Sequence, residues 1–431
     1  ALTAGFDGFT EVAAAVDDTH HIPPGYRAEI VLRFGDPLRE YLAPWTADNS
    51  VVAEYRERFG YNNDYLAYFA LPPAATDRNR GLLCVNHEFT NSRLMWPAGT
   101  TRHALAGGMD AARTAIECAA LGHSVVEVVQ DAPSRTWRYA SVSRYNRRFT
   151  ADSRVVFTGP AAGHSRMRTA IAATGAHGYG MLGLCAGGKT PWGTVLAAEE
   201  NFQTFFDGHL TAREEARNHQ RYGVGTECHY PWWARHQERF NLNHAPREPN
   251  HFGWIAEIDP MAPDSTPRKH TALGRFRHEA ATCVVSADDR LVIYSGDDAP
   301  FEYLYKYVST APYRAHKGLE NSGLLEEGTL YVAQFADDGT LRWLPLIHGH
   351  GPLTRQHGFD DQGDVLIETR RAADLVGGTK LDRPEDVESD PLSNVVYALL
   401  TNNPARTATD LANPRAPNPF GHILRLYPPG T

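Results

Sequence analysis

The sequence predicts an all-β fold, one large β-propeller of several four-stranded blades, on three observations. Strand-like segments rich in Val, Ile, Tyr and Leu recur along the chain, Asp, Gly and Asn turns separate them, and helical patterns are sparse. Composition agrees: 37 glycines, 28 prolines, 19 tyrosines and 8 tryptophans among 431 residues favour many short strands joined by turns. Strands without alternating long helices argue against a parallel βαβ sheet, and a sandwich would be unusually large at this length. No linker or low-complexity segment divides the chain, so residues 1–431 read as a single domain.

Taken in order, strand signals fall at 27–33, 124–129, 193–197, 254–258, 283–285, 291–294, 329–335 and 395–400. Turn signals lie between such runs at Asp288-Asp289, Asp338-Gly339, Gln362-Gly363 and 389–394. Their spacing is not strict, so no fixed-period repeat emerges. Three short amphipathic helices are expected at 53–58, 110–120 and 211–217, the last capped by Thr211.

With 42% hydrophobic and 22% charged residues the chain has ample core, and its formal net charge of −9 argues against a nucleic-acid partner, which needs a basic face. No run of about eighteen apolar residues exists, so no membrane-spanning helix is expected. The first residues lack a basic and an apolar signal region, which leaves a cytosolic protein or an exported one already processed. Five cysteines (84, 118, 185, 228, 283) contain no Cys-x-x-Cys pair, which excludes a zinc ribbon. For the other four, disulfides and unpaired buried thiols both stay open.

Cys185 begins Cys-Ala-Gly-Gly-Lys-Thr-Pro-Trp-Gly-Thr, which leads through an apolar stretch to Glu199-Glu200-Asn201. A thiol suits iron, copper or zinc, and carboxylates and amides suit calcium, magnesium or ferric iron. Comparable polar runs stand beside other strands: Asn86-His87-Glu88, His278-Glu279, Asp297-Asp298 with Glu302, and Arg383-Pro-Glu385-Asp386. Each alone is an ordinary surface feature. Together they suit the channel of a propeller, where several carboxylates would repel one another unless cations lay between them. Arg383 suits bidentate grip of an oxyanion; a local ion pair with Asp382 or Asp386 is the competing role. A serine hydrolase is unsupported, because no Gly-x-Ser-x-Gly elbow exists. The run from Gly183 to Thr190 meets P-loop spacing, but Pro191-Trp192-Gly193 disfavours the helix that would cradle phosphate. The pairs His20-His21 and His348-Gly-His350 read as bystanders.

Many runs in one order resemble the PhoX-type alkaline phosphatases. They include Gly5-Phe-Asp-Gly-Phe9, Phe59-Gly-Tyr-Asn-Asn-Asp64, Val85-Asn-His-Glu88, Gly122-His-Ser-Val-Val-Glu127, Gly159-Pro-Ala-Ala-Gly-His164 and Cys185-Ala-Gly-Gly188. Further along stand Glu199-Glu-Asn201, Glu248-Pro-Asn250, Phe301-Glu-Tyr-Leu-Tyr-Lys306, Arg383-Pro-Glu-Asp386 and Asn413-Pro-Arg-Ala-Pro-Asn418. The resemblance implies a six-bladed propeller with short inserted helices and long loops. It places the active site at one end of the channel, where a pair of Fe(3+) ions is bridged with Ca(2+).

Carried onto this chain, Cys185 looks like the iron thiolate, and Glu279 and Glu385 resemble carboxylates shared between iron and calcium. Glu200 and Asp298 look like calcium ligands, and Arg383 resembles the phosphate-binding arginine, with Arg383, Glu385 and Cys185 forming the catalytic set. Position alone adds Glu88, Glu199, Glu302 and Asp297 as metal ligands, and Asn201 at the substrate. Leu184 and Ala198 depart from the pattern, standing where an amide and a hydroxyl residue would be usual. The expected activity is metal-dependent hydrolysis of small phosphate monoesters by an exported, periplasmic or secreted monomer whose twin-arginine signal has been removed. The competing readings are a phosphodiesterase or phosphotriesterase on the same propeller, and a calcium-stabilised propeller that only binds.

Overall fold

The structure, a computed structural model, describes residues 10–46, 51–72, 78–96, 108–210 and 213–427. The motif Gly5–Phe9 and the capping residue Thr211 lie outside the described residues.

Five strands form the first sheet: β1 (Asn63–Ala70), β2 (Arg80–His87), β3 (Gly122–Gln130), β4 (Trp137–Tyr139) and β5 (Arg147–Phe149). They run β1-β2-β3-β4, with β5 also on β3, all antiparallel. The second sheet holds β6 (Arg154–Thr158), β7 (His177–Tyr179), β8 (Leu184–Lys189), β9 (Val195–Glu199), β10 (Ile255–Ile258) and β11 (Arg268–His270), in the order β7-β6-β11-β10-β9-β8. Its β6–β11 contact is parallel and joins two antiparallel pieces. Next come β12 (His278–Val285), β13 (Arg290–Asp297), β14 (Pro300–Glu302), β15 (Leu304–Pro312), β16 (Gly328–Phe335) and β17 (Leu341–Pro345). All of these except β14 form the meander β12-β13-β15-β16-β17, while β14 pairs with β18 (Leu381–Asp382). A last meander joins β19 (Pro384–Ser389), β20 (Val396–Leu400) and β21 (His422–Leu426).

The turn residues explain these hairpins. Asp289, Gly339 and Asn394 each adopt positive φ between paired strands, a conformation that Gly, Asn and Asp tolerate best. Strands β9 and β10 are buried along their whole length and read in sequence as short continuous apolar runs, as interior strands do.

Around the middle, β8 packs on β1 and β12, and β12 packs on β19. Glycine permits this approach. A Cβ on Gly188 would lie 2.0 Å from the Ala281 carbonyl oxygen, and one on Gly296 would lie 2.3 Å from those of Pro384 and Glu385. The Cys-Ala-Gly-Gly run is therefore a packing device as well as a thiol carrier.

The fold is mostly β rather than all-β. Among the described residues it includes α1 (Val52–Tyr55), α2 (Ser92–Met95), α3 (Ala111–Ala120), α4 (Arg213–Tyr222), α5 (Pro231–His236), α6 (Gln362–Ile367) and α7 (Thr369–Val376). Sheets of five, six, five, two and three strands do not divide into equal four-stranded blades. Residues 27–33 form no strand; their alternation finds no strand partner among the described residues, and Ile30 stays 66% exposed. Gln362-Gly363 is not a hairpin turn but the first turn of α6, because the Asp361 carboxylate accepts from the Asp364 N–H as an N-cap. The P-loop-like run is strand β8 turning into β9, so no helix follows it. All five cysteines are free thiols.

Candidate active site

Strand ends bring the site together. Cys185 lies in a bulge of β8, between Leu184 and Gly187, where the ladder with β9 slips register. The carbonyls of Cys185 and Ala186 accept instead from Asn86 Nδ2, at 2.7 and 2.9 Å. The ring of His123 fixes that amide through a 2.8 Å bond to Asn86 Oδ1. The Asn-His-Glu and Gly-His-Ser runs thus serve to aim the thiol, a task for second-layer residues at metal sites.

Two groups of donor atoms share Cys185. In each, the atoms lie within 4.8 Å of one another: Asp64, Glu88 and Cys185, and Cys185, Glu200 and Glu279. Asp64 Oδ2 stands 3.5 Å from the Cys185 sulfur. Glu279 is aimed by a second bulge, between Glu279 and Thr282 of β12, where buried Ala280 adopts φ 66°. Arg383 is also left-handed, at φ 55°. Such backbone is costly for non-glycine residues and concentrates at functional sites. The Arg383 guanidinium grips Asp298 bidentately at 2.9 and 2.6 Å and reaches Glu385 at 3.0 Å. Its Nη1 makes no hydrogen bond among the described residues. Asn201 donates to Glu200, and Asn62 donates to Glu88 at 3.4 Å.

The electrostatics of this group are those of crowded, dehydrated anions. Burial first, then the charge of Glu279, drives the Glu200 carboxyl well above its usual range. Burial likewise raises Glu279, Asp64 and Asp298. Glu88 is pushed up to about 7 by burial and by Asp64. The Cys185 thiol rises for the same reasons, with Glu279 and Glu200 the leading charges. Ionising all of them together requires positive charge that Arg383 alone does not supply. One sulfur among several carboxylates fits a soft-tolerant ion beside hard ones.

Three expected ligands stand elsewhere. Successive side chains of a strand point to opposite faces, so Glu199 turns away from Glu200. It binds Lys269 Nζ at 2.8 Å and accepts from the N–H groups of Leu182, Gly253 and Trp254 at 3.1 to 3.2 Å. Glu302 pairs with Arg221 at 2.5 and 2.9 Å, and Asp297 with Arg370 at 2.5 and 2.8 Å. None of the three belongs to either donor group around Cys185. Conversely, Asp64 was not singled out as a ligand; its only signal was its place closing the run that begins at Phe59. Of the histidine pairs, His21 bonds Asp17 and His348 bonds the Phe359 carbonyl. A third acidic group, His164 with Asp361 and Asp364, caps α6 and binds Arg166.

No curated protein matches the chain. Among solved structures it is similar to Pseudomonas fluorescens PhoX in complex with vanadate, a transition state analogue. Identity is 37%, the TM-score is 0.90, and the match covers 97% of this chain and 72% of that one. A family model, Alkaline phosphatase PhoX, matches residues 7–431. With the thiol and carboxylates gathered as above, the chain belongs to the PhoX family of alkaline phosphatases and is a phosphatase.

Proposed function

We propose that the protein hydrolyses small phosphate monoesters at a mixed iron and calcium cluster. The observation that carries this reading is the convergence of Cys185 with Asp64, Glu88, Glu200 and Glu279 beside Arg383. Cys185 and Glu279 would hold iron, with Asp64 added to the set expected from sequence. Glu200, Glu88 and Asp298 would hold calcium, and Glu385 would serve both. When bound, these ions supply Lewis-acid charge to the phosphoryl oxygens and acidify water.

The remaining chemistry belongs to the chain. Arg383 is held by Asp298 and Glu385 so that its free Nη1 meets a phosphoryl oxygen, the fixed fork suiting a tetrahedral oxyanion. Asn201, on the Glu200 side, offers its amide to the same group. The vanadate complex of the Pseudomonas fluorescens protein supports a phosphoryl-transfer site in this fold.

With this reading go a single propeller domain of six blades with the cluster at one end of its channel, a monomer, and export to the periplasm or medium. The run-by-run resemblance supports these points, and the packing of β8 on β1 and β12 and of β12 on β19 supports the single domain. Among the described residues no helix is long and apolar enough to cross a membrane. The test is phosphate release from an aryl phosphate at alkaline pH by protein loaded with iron and calcium. Release lost on calcium chelation is expected. Faster turnover of diesters or triesters would move the activity to that class, and no release would leave only a binding propeller.

A further inference from the structure

Arg277 precedes Glu279 by two residues and is tied by its backbone to the acidic pair: its N–H donates to Asp297 Oδ1 at 3.3 Å, and its carbonyl accepts from Asp298 N at 3.0 Å. Its side chain, only 11% exposed, ends at the 49% exposed Glu227, with Nη2 to Glu227 Oε2 at 2.5 Å and to the Tyr222 carbonyl at 3.0 Å. Its Nε is buried with no hydrogen-bond partner among the described residues. Gln203 Nε2 lies 3.3 Å from both Glu227 Oε2 and Asn201 Oδ1. A chain of contacts thus leads from Asn201, beside Glu200, to the solvent-facing Glu227, with Arg277 alongside. The positive charge of Arg277 is felt at Glu200, where it opposes the upward push of burial.

We propose that Arg277 is a second substrate-binding guanidinium, specific for an anionic group on the alcohol portion of the ester. The proposal rests on the monoesterase reading above. With the phosphoryl group among the carboxylates and Arg383, the alcohol portion extends toward solvent, and Glu227 marks that side. Glu227, the half-exposed partner, keeps much of its hydration when it lets go, so a substrate carboxylate or second phosphate displaces it from the largely buried Arg277. It gains the charge-assisted fork, including the Nε donor that now lacks a partner. Glu227 is then the gate that holds Arg277 in place when the alcohol portion is uncharged.

The test compares kcat/KM for phenyl phosphate and 4-carboxyphenyl phosphate in the metal-loaded enzyme and in Arg277→Gln, Arg277→Lys and Glu227→Gln. The ratio of the carboxylated to the plain ester is expected to fall about tenfold in Arg277→Gln, as loss of a hydrogen bond to a charged group implies. Arg277→Lys restores part of it, since charge returns without the fork. Glu227→Gln raises the ratio about threefold by removing the competitor. A merely structural Arg277 lowers both rates together, and an unmoved ratio in Arg277→Gln overturns the proposal. Should that variant fail to fold, an unmoved ratio in Glu227→Gln does the same. Failure of the monoesterase reading is seen separately, as no phosphate from either ester with the wild-type protein.

Discussion

Asn86 and Lys269 decide between them which neighbouring groups can serve the site. Asn86 satisfies two carbonyls released by the β8 bulge, so Asn86→Leu frees the Cys185 backbone. Metal affinity should fall about 10- to 100-fold, as for other second-layer losses, measured by metal retention during dialysis against a chelator. Lys269 is wholly buried against Glu199. Lys269→Met should cost about 3–5 kcal/mol in denaturant unfolding, because an unpaired carboxylate is left inside. Iron content per folded molecule is expected to stay as in the wild type, since Glu199 faces away from the cluster.

That Cys185, Glu200 and Glu279 gather, with Arg383 held by Asp298 and Glu385, was legible because a thiol, carboxylates and a guanidinium at strand ends have few common purposes. Glu199, Glu302 and Asp297 pair with Lys269, Arg221 and Arg370 instead, since which of two adjacent acids faces inward depends on strand register and on distant arginine and lysine partners. Asp64 was passed over because a lone aspartate after two asparagines looks like a turn.

At the level of elements, hairpins were legible and helices less so. Val, Ile and Tyr runs separated by Asp, Gly and Asn locate β3, β10, β13, β16 and β20 closely, because both signals are local, whereas only the last three residues of β12 were read as strand. The expected strand 27–33 finds no partner among the described residues, and α5, α6 and α7 were missed because each is short, with Pro231 opening α5, Gly363 in the first turn of α6 and Gly377-Gly378 directly after α7. The glycines of β8 carry a sharper consequence. Gly188→Ala places a methyl 2.0 Å from the Ala281 carbonyl oxygen, so β8 and β12 must part. A loss of about 3 kcal/mol is expected, read as a lower melting temperature together with loss of iron, because Cys185 and Glu279 ride on those two strands. Wild-type metal content in Gly188→Ala would show that the two strands need not touch for the site to assemble.

For the whole molecule, buried neutral histidines set the acid limit. Burial, reinforced by Arg147 and Arg148, lowers His123 to about 3, and burial with Arg275 lowers His219 to about 4. Both folded values lie below the unfolded value of about 6.5, so the unfolded chain binds protons first as pH falls. Stability therefore drops on acidification from about pH 6.5 towards 4, by up to about 1.4 kcal/mol per pH unit for each histidine. Glu215 extends the trend: burial opposes its ionisation, but Arg166 holds it at about 2. Its contribution is present above the unfolded value of about 4.5 and is lost as pH falls from there towards 2. Melting temperatures across pH 4 to 8 check the sign, which fits a protein whose proposed chemistry operates at alkaline pH.

The central claim, a cluster organised by one thiol, is tested most directly by metal analysis of Cys185→Ala beside the wild type, with turnover measured on the same samples. The wild type should carry iron and calcium and release phosphate. Cys185→Ala should stay folded yet lose iron and turnover together. Full iron and wild-type turnover in Cys185→Ala would contradict the account.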